Sequence, residues 1–215
     1  MLNQSPAQLI AGIITLLIAF TFHEFFHAWT AVMFGDDTPR RFGRLTLNPL
    51  SHLDMMGSLM LLFTGFGWAK PVPISPSRLR QHSRAALLLV AISGPLANFL
   101  LAFLAAIPLR MGWVAIGAPM IDFFPSPYQF LIYFFFTNLG LMLFNLIPLS
   151  SLDGEEILIF FLPPALEEAY ERIRPYGPYI LLVLLFLGPL LGFSLIDSVL
   201  SPAVMGLGRL LLGGL

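Results

Sequence analysis

Long apolar runs separated by short polar segments dominate this chain and predict membrane-spanning helices. Four runs are long enough, at ~1.5 Å of helical rise per residue, to cross a hydrocarbon core of ~30 Å. They extend from Ala7 to Phe34, from Ala85 to Leu109, from Tyr128 to Leu146 and from Tyr179 to about Leu200. Shorter apolar pieces elsewhere could raise the total, so the pattern predicts an all-α polytopic membrane protein with about four to six transmembrane helices.

The apolar piece from Met55 to Phe66 is too short to span the membrane. Basic residues flank it on both sides, so the simplest topology returns the chain to the side that it left. Its open backbone must then pack against protein, because lipid offers no hydrogen-bond partners. We expect a re-entrant or interfacial segment after the first span.

Basic residues are concentrated between the first two spans. The stretch from Arg40 to Arg84 holds seven of the eleven Lys and Arg residues. The positive-inside rule predicts that this loop lies in the cytoplasm and the amino terminus on the far side of the membrane. We therefore expect a multi-pass protein of the cell membrane, with Arg110 and the charged patch from Glu167 to Arg174 as solvated loop ends.

Composition narrows the class of protein further. The 215 residues are 57% hydrophobic and 11% charged, with a mean hydropathy of +0.84, which excludes an ordinary soluble domain. We expect a single integral membrane domain over residues 1–215, with a core over 7–160 and an additional C-terminal membrane helix over 176–200. A net charge of −1 without a basic stripe argues against nucleic acid as a partner. The absence of cysteine excludes thiolate metal sites and cysteine nucleophiles.

The first predicted span contains His23, Glu24 and His27 in an H-E-x-x-H pattern. Residues four apart share a helix face, so the two imidazoles can bind one metal ion, for which zinc is the natural choice. Glu24 could then take a proton from a metal-bound water and pass it to a leaving amine. A chance match is the alternative, but each ionisable group in an apolar helix costs at least ~2 kcal/mol without a purpose.

A catalytic zinc ion normally has three protein ligands, so a third must come from elsewhere in the chain. Asp153 is the best candidate, because it follows a helix broken by Pro148 and precedes Gly154, in irregular backbone that must line a cavity or pack on protein. Asp153 could instead cap the following helix. Glu155 and Glu156 are further candidate ligands, although acids are common in the first turn of a helix.

Five segments together resemble one family. They are H-E-F-F-H-A-W at 23–29, G-R-L-T-L-N-P-L-S-H-L-D at 43–54, G-W-A-K-P-V-P at 67–73, G-P-L-A-N at 94–98 and F-N-L-I-P-L-S-S-L-D-G at 144–154. In this order they resemble the site-2 protease family of intramembrane metalloproteases, in particular its compact members without a PDZ domain. The resemblance covers most of the chain up to about Ile157.

The resemblance implies a zinc metalloendopeptidase that cleaves transmembrane protein substrates. By it, His23, His27 and Asp153 would bind one Zn²⁺ per chain, Glu24 would be the catalytic base, and Asn98 would lie near the reacting peptide. The re-entrant segment would hold an unwound substrate as an added strand. The chain departs from the family pattern at Ser150 and Ser151, where prolines are usual, and at Glu155 and Glu156, where small or basic residues are common.

Two other functions fit parts of the same pattern. A membrane metal-ion carrier would also place His, Asp and Glu within the membrane, although it would spread them along a path. A zinc-bound homologue without turnover would bind membrane proteins but not cleave them. Iron or cobalt could replace zinc. Other polar groups, such as His52, Asp54, Asn138 and Asn145, are read as loop or interhelical hydrogen-bond partners.

Overall fold

A computed structural model describes residues 5–64, 67–117 and 123–213. Within these ranges the chain is helical and contains no β-strand, which confirms the predicted all-α class. The α-helices are α1 (Pro6–Met33), α2 (Thr38–Arg41), α3 (Met55–Thr64), α4 (Pro76–His82), α5 (Arg84–Arg110), α6 (Pro127–Asn145), α7 (Gly154–Phe161), α8 (Pro164–Ile173), α9 (Gly177–Leu182) and α10 (Ser201–Leu212).

Three of the described helices, α1, α5 and α6, are long and apolar enough to cross a membrane. Both α1 and α6 begin with a capping box in which a serine caps the helix and a glutamine three residues later bonds back, at Ser5 and Ser126. α5 packs against α1 and α6, which also touch each other. Buried alanines such as Ala19 and Ala102 allow this close approach, and the three helices form the core of a polytopic membrane protein.

The chain on either side of α3 lies side by side, so the segment after the first span enters and leaves at the same place. Helix α3 is only ten residues long, and the backbone on either side of it pairs, through a bridge between Leu53 and Ala69. The Lys70 N–H also donates to the His52 carbonyl at 2.8 Å. This geometry is the one expected of a re-entrant segment, although residues 65 and 66 of the predicted piece lie outside the described residues.

The expected C-terminal membrane helix over 176–200 is divided in the structure. Helix α9 continues into a stretch of wider, π-helical turns at Val183–Leu187. A short 3₁₀ turn at Pro189–Leu191 then ends this helical piece. Gly192 then adopts a left-handed conformation with φ of +84°, and the Phe193 N–H donates to the Gly188 carbonyl at 2.9 Å. Pro189 has no N–H to offer, and Gly192 tolerates the turn, so one apolar run becomes two shorter helical pieces.

Candidate metal centre

The two histidines of α1 face each other across one turn of the helix. Their Nε2 atoms are 3.0 Å apart and both side chains are buried. Asp153 completes the group, with Oδ2 at 3.1 Å from the His23 Nε2 and Oδ1 at 3.2 Å from the His27 Nε2. The three side chains are therefore close enough to bind a single metal ion.

The backbone before α7 is what aims Asp153 at the histidines. Ser151 has a φ of +85°, and Gly154 packs so tightly that a Cβ there would collide with the carbonyl oxygens of Leu146 and Ile147. Although Asp153 is the residue that precedes α7, its side chain makes no capping hydrogen bond. The Asp153 carboxylate thus points to the histidines. The alternative interpretation, in which Asp153 caps the following helix, does not hold.

The hydrogen bonds behind the imidazoles determine which ring nitrogens carry protons. The Nδ1 of His23 lies 2.6 Å from the Asn98 Oδ1, and the Nδ1 of His27 lies 2.7 Å from the Val90 carbonyl oxygen. Because both oxygens can only accept, each Nδ1 must be the donor. In neutral imidazoles the two Nε2 lone pairs then face each other beside a carboxylate, an arrangement that calls for a cation between them.

Asn98 is oriented by its own network. Its Nδ2 donates to the Asn138 Oδ1 at 3.0 Å and to the Ala19 carbonyl at 3.3 Å, while Asn138 donates to the Phe134 carbonyl at 2.9 Å. Asn98 is fully buried behind His23. Asn98 is therefore placed to orient a candidate metal ligand. Its expected position near the reacting peptide stays a prediction.

Two further observations test whether this group suits a metal ion. Gly94 of α5 faces the histidines, and a Cβ there would collide with the His27 Nε2 and lie 2.7 Å from the His23 Nε2. The Oδ2 of Asp153 is buried without a hydrogen-bond donor among the described residues. Gly94 thus leaves space beside atoms that can accept a hydrogen bond or bind a metal ion but have no donor. Two imidazoles and one carboxylate are ligands that suit zinc.

A cavity of about 650 Å³ opens beside the cluster. Its wall is formed by the non-helical segment that follows α3, by α5, by α6, by α9 and by the turn that precedes α7. The wall includes Trp68, Val72, Leu141 and Leu181. Glu24 is buried in the same wall, and its Oε2 accepts a hydrogen bond from the Val72 N–H at 2.9 Å. The H-E-x-x-H glutamate is therefore held at the cavity beside the metal-binding group.

Several contacts of the site had no clear signal in the sequence. The Val90 carbonyl and the Val72 N–H are backbone groups, which motif reading does not single out. Arg174, expected as a solvated loop end, is instead bound to Glu155 and Glu156 beside the cavity. Both acids thus pair with Arg174 through one oxygen each, and neither belongs to the group formed by His23, His27 and Asp153.

The second polar pair of the sequence stays outside the site. His52 is buried in the loop before α3, with its Nε2 at 2.8 Å from the Thr46 carbonyl oxygen. Asp54 accepts from the Gly57 N–H at 2.8 Å. Both residues therefore serve the loop itself, as the sequence suggested.

Comparison with known proteins agrees with this geometry. Residues 11–124 match the profile described as Peptidase family M50. The chain is 42% identical over 179 residues to Bacillus subtilis YwhC, named as a candidate zinc metalloprotease, covering 83% of this chain and 80% of that protein. It is 33% identical over 176 residues to Rip2 of Mycolicibacterium smegmatis, named in the same way, covering 79% of this chain and 64% of that protein. No solved structure matches. The chain belongs to peptidase family M50.

Proposed function

We propose that this protein is an intramembrane zinc metalloendopeptidase that hydrolyses peptide bonds in or near transmembrane segments of other membrane proteins. The observation that carries the proposal is the meeting of His23, His27 and Asp153 at one end of a cavity that also contains Glu24. The family, and the zinc metalloprotease names of the relatives, support the same reaction. The expected setting is the cell membrane, which the chain would cross several times.

The proposed metal ligands are His23, His27 and Asp153, with one Zn²⁺ per chain. When bound, zinc supplies Lewis-acid chemistry, because it polarises a carbonyl oxygen and makes a water molecule more acidic. The protein fixes the ligands from behind: Asn98 and the Val90 carbonyl accept from the Nδ1 atoms and so keep each Nε2 free of its proton.

Glu24 is the proposed general base and then the general acid. Its carboxylate takes a proton from the attacking water and returns it to the leaving nitrogen of the cleaved peptide. The hydrogen bond from the Val72 N–H holds one carboxylate oxygen in place, so the other remains available for proton transfer. Burial of Glu24 in the cavity wall limits exchange of that proton with bulk solvent.

The substrate must present an unwound stretch of backbone, because a helix buries its carbonyls in its own hydrogen bonds. The non-helical return of the re-entrant segment lines the cavity through Gly67, Trp68, Ala69, Pro71 and Val72. We propose that the substrate lies along this segment as an added strand, with main-chain hydrogen bonds holding it next to Glu24.

The decisive experiment compares purified wild type with the Glu24→Gln variant in detergent. We expect wild type to cleave members of a panel of single-span proteins, and Glu24→Gln to bind about one zinc per chain while its rate falls by about 10²- to 10⁴-fold. Glu168→Gln is the matched control, because Glu168 is exposed on α8. If wild type and variant both bind zinc and neither cleaves, a metal carrier or a non-catalytic binding protein becomes the better account.

A further inference from the structure

The wall of the cavity contains a second carboxylate beside Glu24. Glu156 lies one helical turn after Asp153, so both side chains lie on the same side of α7. Glu156 lines the large cavity and also a smaller cavity of about 180 Å³, and Leu87 is likewise shared by the two. The two cavities therefore adjoin, and Glu156 lies where they meet.

One oxygen of Glu156 has a partner and the other does not. Its Oε1 accepts from Arg174 at 3.0 Å, whereas its Oε2 is buried without a hydrogen-bond donor among the described residues. Arg174 also pairs with Glu155 at 2.9 Å and with Glu171 at 3.1 Å. One guanidinium thus faces three carboxylates, and it leaves the second oxygen of Glu156 without a hydrogen-bond donor among the described residues.

The other charged residues that line the smaller cavity donate no hydrogen bond to the Oε2 of Glu156. Arg84 donates to the Phe160 carbonyl at 3.3 Å and stacks over the Phe160 ring at 5.6 Å. Arg80 is exposed at the rim, and the remaining charged residue of the lining, Glu167, is an acid. The Oε2 of Glu156 is therefore a buried acceptor at a junction large enough to admit a side chain.

We propose that Glu156 forms a subsite for a lysine or arginine side chain of the substrate; this inference rests on the proposed protease function. A cationic donor makes the strongest hydrogen bond to a buried carboxylate. Side chains one turn apart on a helix are about 5–6 Å apart, and an extended chain advances ~3.3–3.6 Å per residue. The basic residue therefore lies within about two residues of the scissile bond.

Membrane topology supplies substrates of this kind. Lysine and arginine are concentrated at the cytoplasmic ends of membrane spans. The basic loop of this protein, which includes Arg80, predicts that the smaller cavity faces the same side. A substrate helix that unwinds at its cytoplasmic end brings a basic residue to Glu156 while its apolar residues remain in the large cavity.

The test measures binding first, so that it does not depend on turnover. Single-span peptides carry lysine at each position within four residues of a mapped or assumed scissile bond, and their counterparts carry methionine, which is of similar size and neutral. Zinc-loaded Glu24→Gln should bind the best lysine peptide about 10- to 100-fold more tightly than its methionine counterpart. Adding Glu156→Gln should remove this preference, and adding Glu156→Lys should transfer it to a glutamate peptide.

Glu155→Gln is the matched control, because Glu155 shares Arg174 but does not line the large cavity. It should keep the preference for lysine. Equal binding of the lysine and methionine peptides, or the same loss in Glu155→Gln as in Glu156→Gln, overturns the subsite. Absence of cleavage by zinc-loaded wild type overturns the protease instead, and the binding ratio still decides whether Glu156 recognises a basic residue.

Discussion

Two clusters of ionisable groups among the described residues differ in whether the chain itself supplies a cation. Around Arg174 the chain supplies its own cation, which pairs with Glu155, Glu156 and Glu171 at 2.9–3.1 Å. Around Asp153 it supplies a carboxylate and two imidazoles whose protons are directed away. The first cluster contains an arginine of the chain, whereas the group at Asp153 contains no cationic side chain and offers its acceptor atoms to a metal ion.

The largest loss of bound zinc is expected from a substitution at Gly94, where the backbone packs directly against both histidines. Gly94→Ala places a methyl group against the His27 Nε2, so we expect loss of most bound zinc and with it activity. Gly140→Ala on α6 is the control, because a Cβ there has no neighbour within 4 Å. Elemental analysis of both purified variants measures the difference; full zinc content in Gly94→Ala would refute the placement of the ion beside α5.

Asn98→Ala removes the group that orients His23 while leaving the three candidate ligands intact. Loss of such an orienting partner typically weakens metal affinity about 10- to 100-fold, and we expect that range for zinc. Competition with a chelator of known affinity measures it. Asn98→Asp keeps the acceptor for the His23 Nδ1 and should recover part of the loss, so an unchanged affinity in both variants contradicts the assigned role.

The Arg174 cluster should respond in stability rather than in metal binding. Arg174→Ala leaves the buried Glu155 without its cation, and we expect the free energy of unfolding to fall by about 1–3 kcal/mol, because Arg174 itself is partly exposed. Arg172→Ala, which breaks an exposed pair with Glu168, should cost at most about 0.5 kcal/mol. Thermal unfolding in detergent compares them, and equal losses would remove the distinction between the two clusters.

The smallest effect concerns Asp36, a buried acid outside the membrane spans that neutral donors satisfy. Burial alone would raise the pKa of Asp36, but hydrogen bonds from Thr38 and Ser75 outweigh it and hold the pKa below its ordinary value. The folded pKa is lowered, so this stability is present above the unfolded pKa of about 3.9 and is lost as pH falls through the folded pKa.

Asp36→Asn should therefore lower the free energy of unfolding by about 1–2 kcal/mol at pH 7. The difference from wild type should shrink as pH falls below about 4. The exposed neighbour provides the control, since Asp37→Asn should change little at either pH. Thermal unfolding at several pH values measures both variants, and a difference that grows on acidification would show that the sign is wrong.

The sequence predicted the parts of the fold that depend on local pattern. Hydrophobic length located the long helices α1, α5 and α6 to within a few residues, and the spacing in the H-E-x-x-H pattern brought His23 and His27 to one face. The division of the C-terminal apolar run was missed, because Gly188 and Pro189 are compatible with a kinked helix as well as with a helix end.

The arrangement around the metal-binding group was only partly predictable. Asp153 was selected for its unusual backbone, and the structure brings it to the histidines. The position of Asn98 behind His23, and of Arg174 beside Glu156, depends on tertiary packing that no local pattern encodes. Polar residues within apolar runs indicated which segments contribute to the site. Tertiary packing decides which of those residues face the cavity.

The most direct test of the metal site is the zinc content and zinc X-ray absorption spectrum of Glu24→Gln, with and without His27→Ala. The account predicts about one zinc per chain in Glu24→Gln, with two imidazole nitrogens at about 2.0–2.1 Å and a carboxylate oxygen at about 2.0–2.2 Å. It also predicts loss of that zinc when His27 is replaced. Zinc retained without His27, or bound without imidazole ligands, would contradict it.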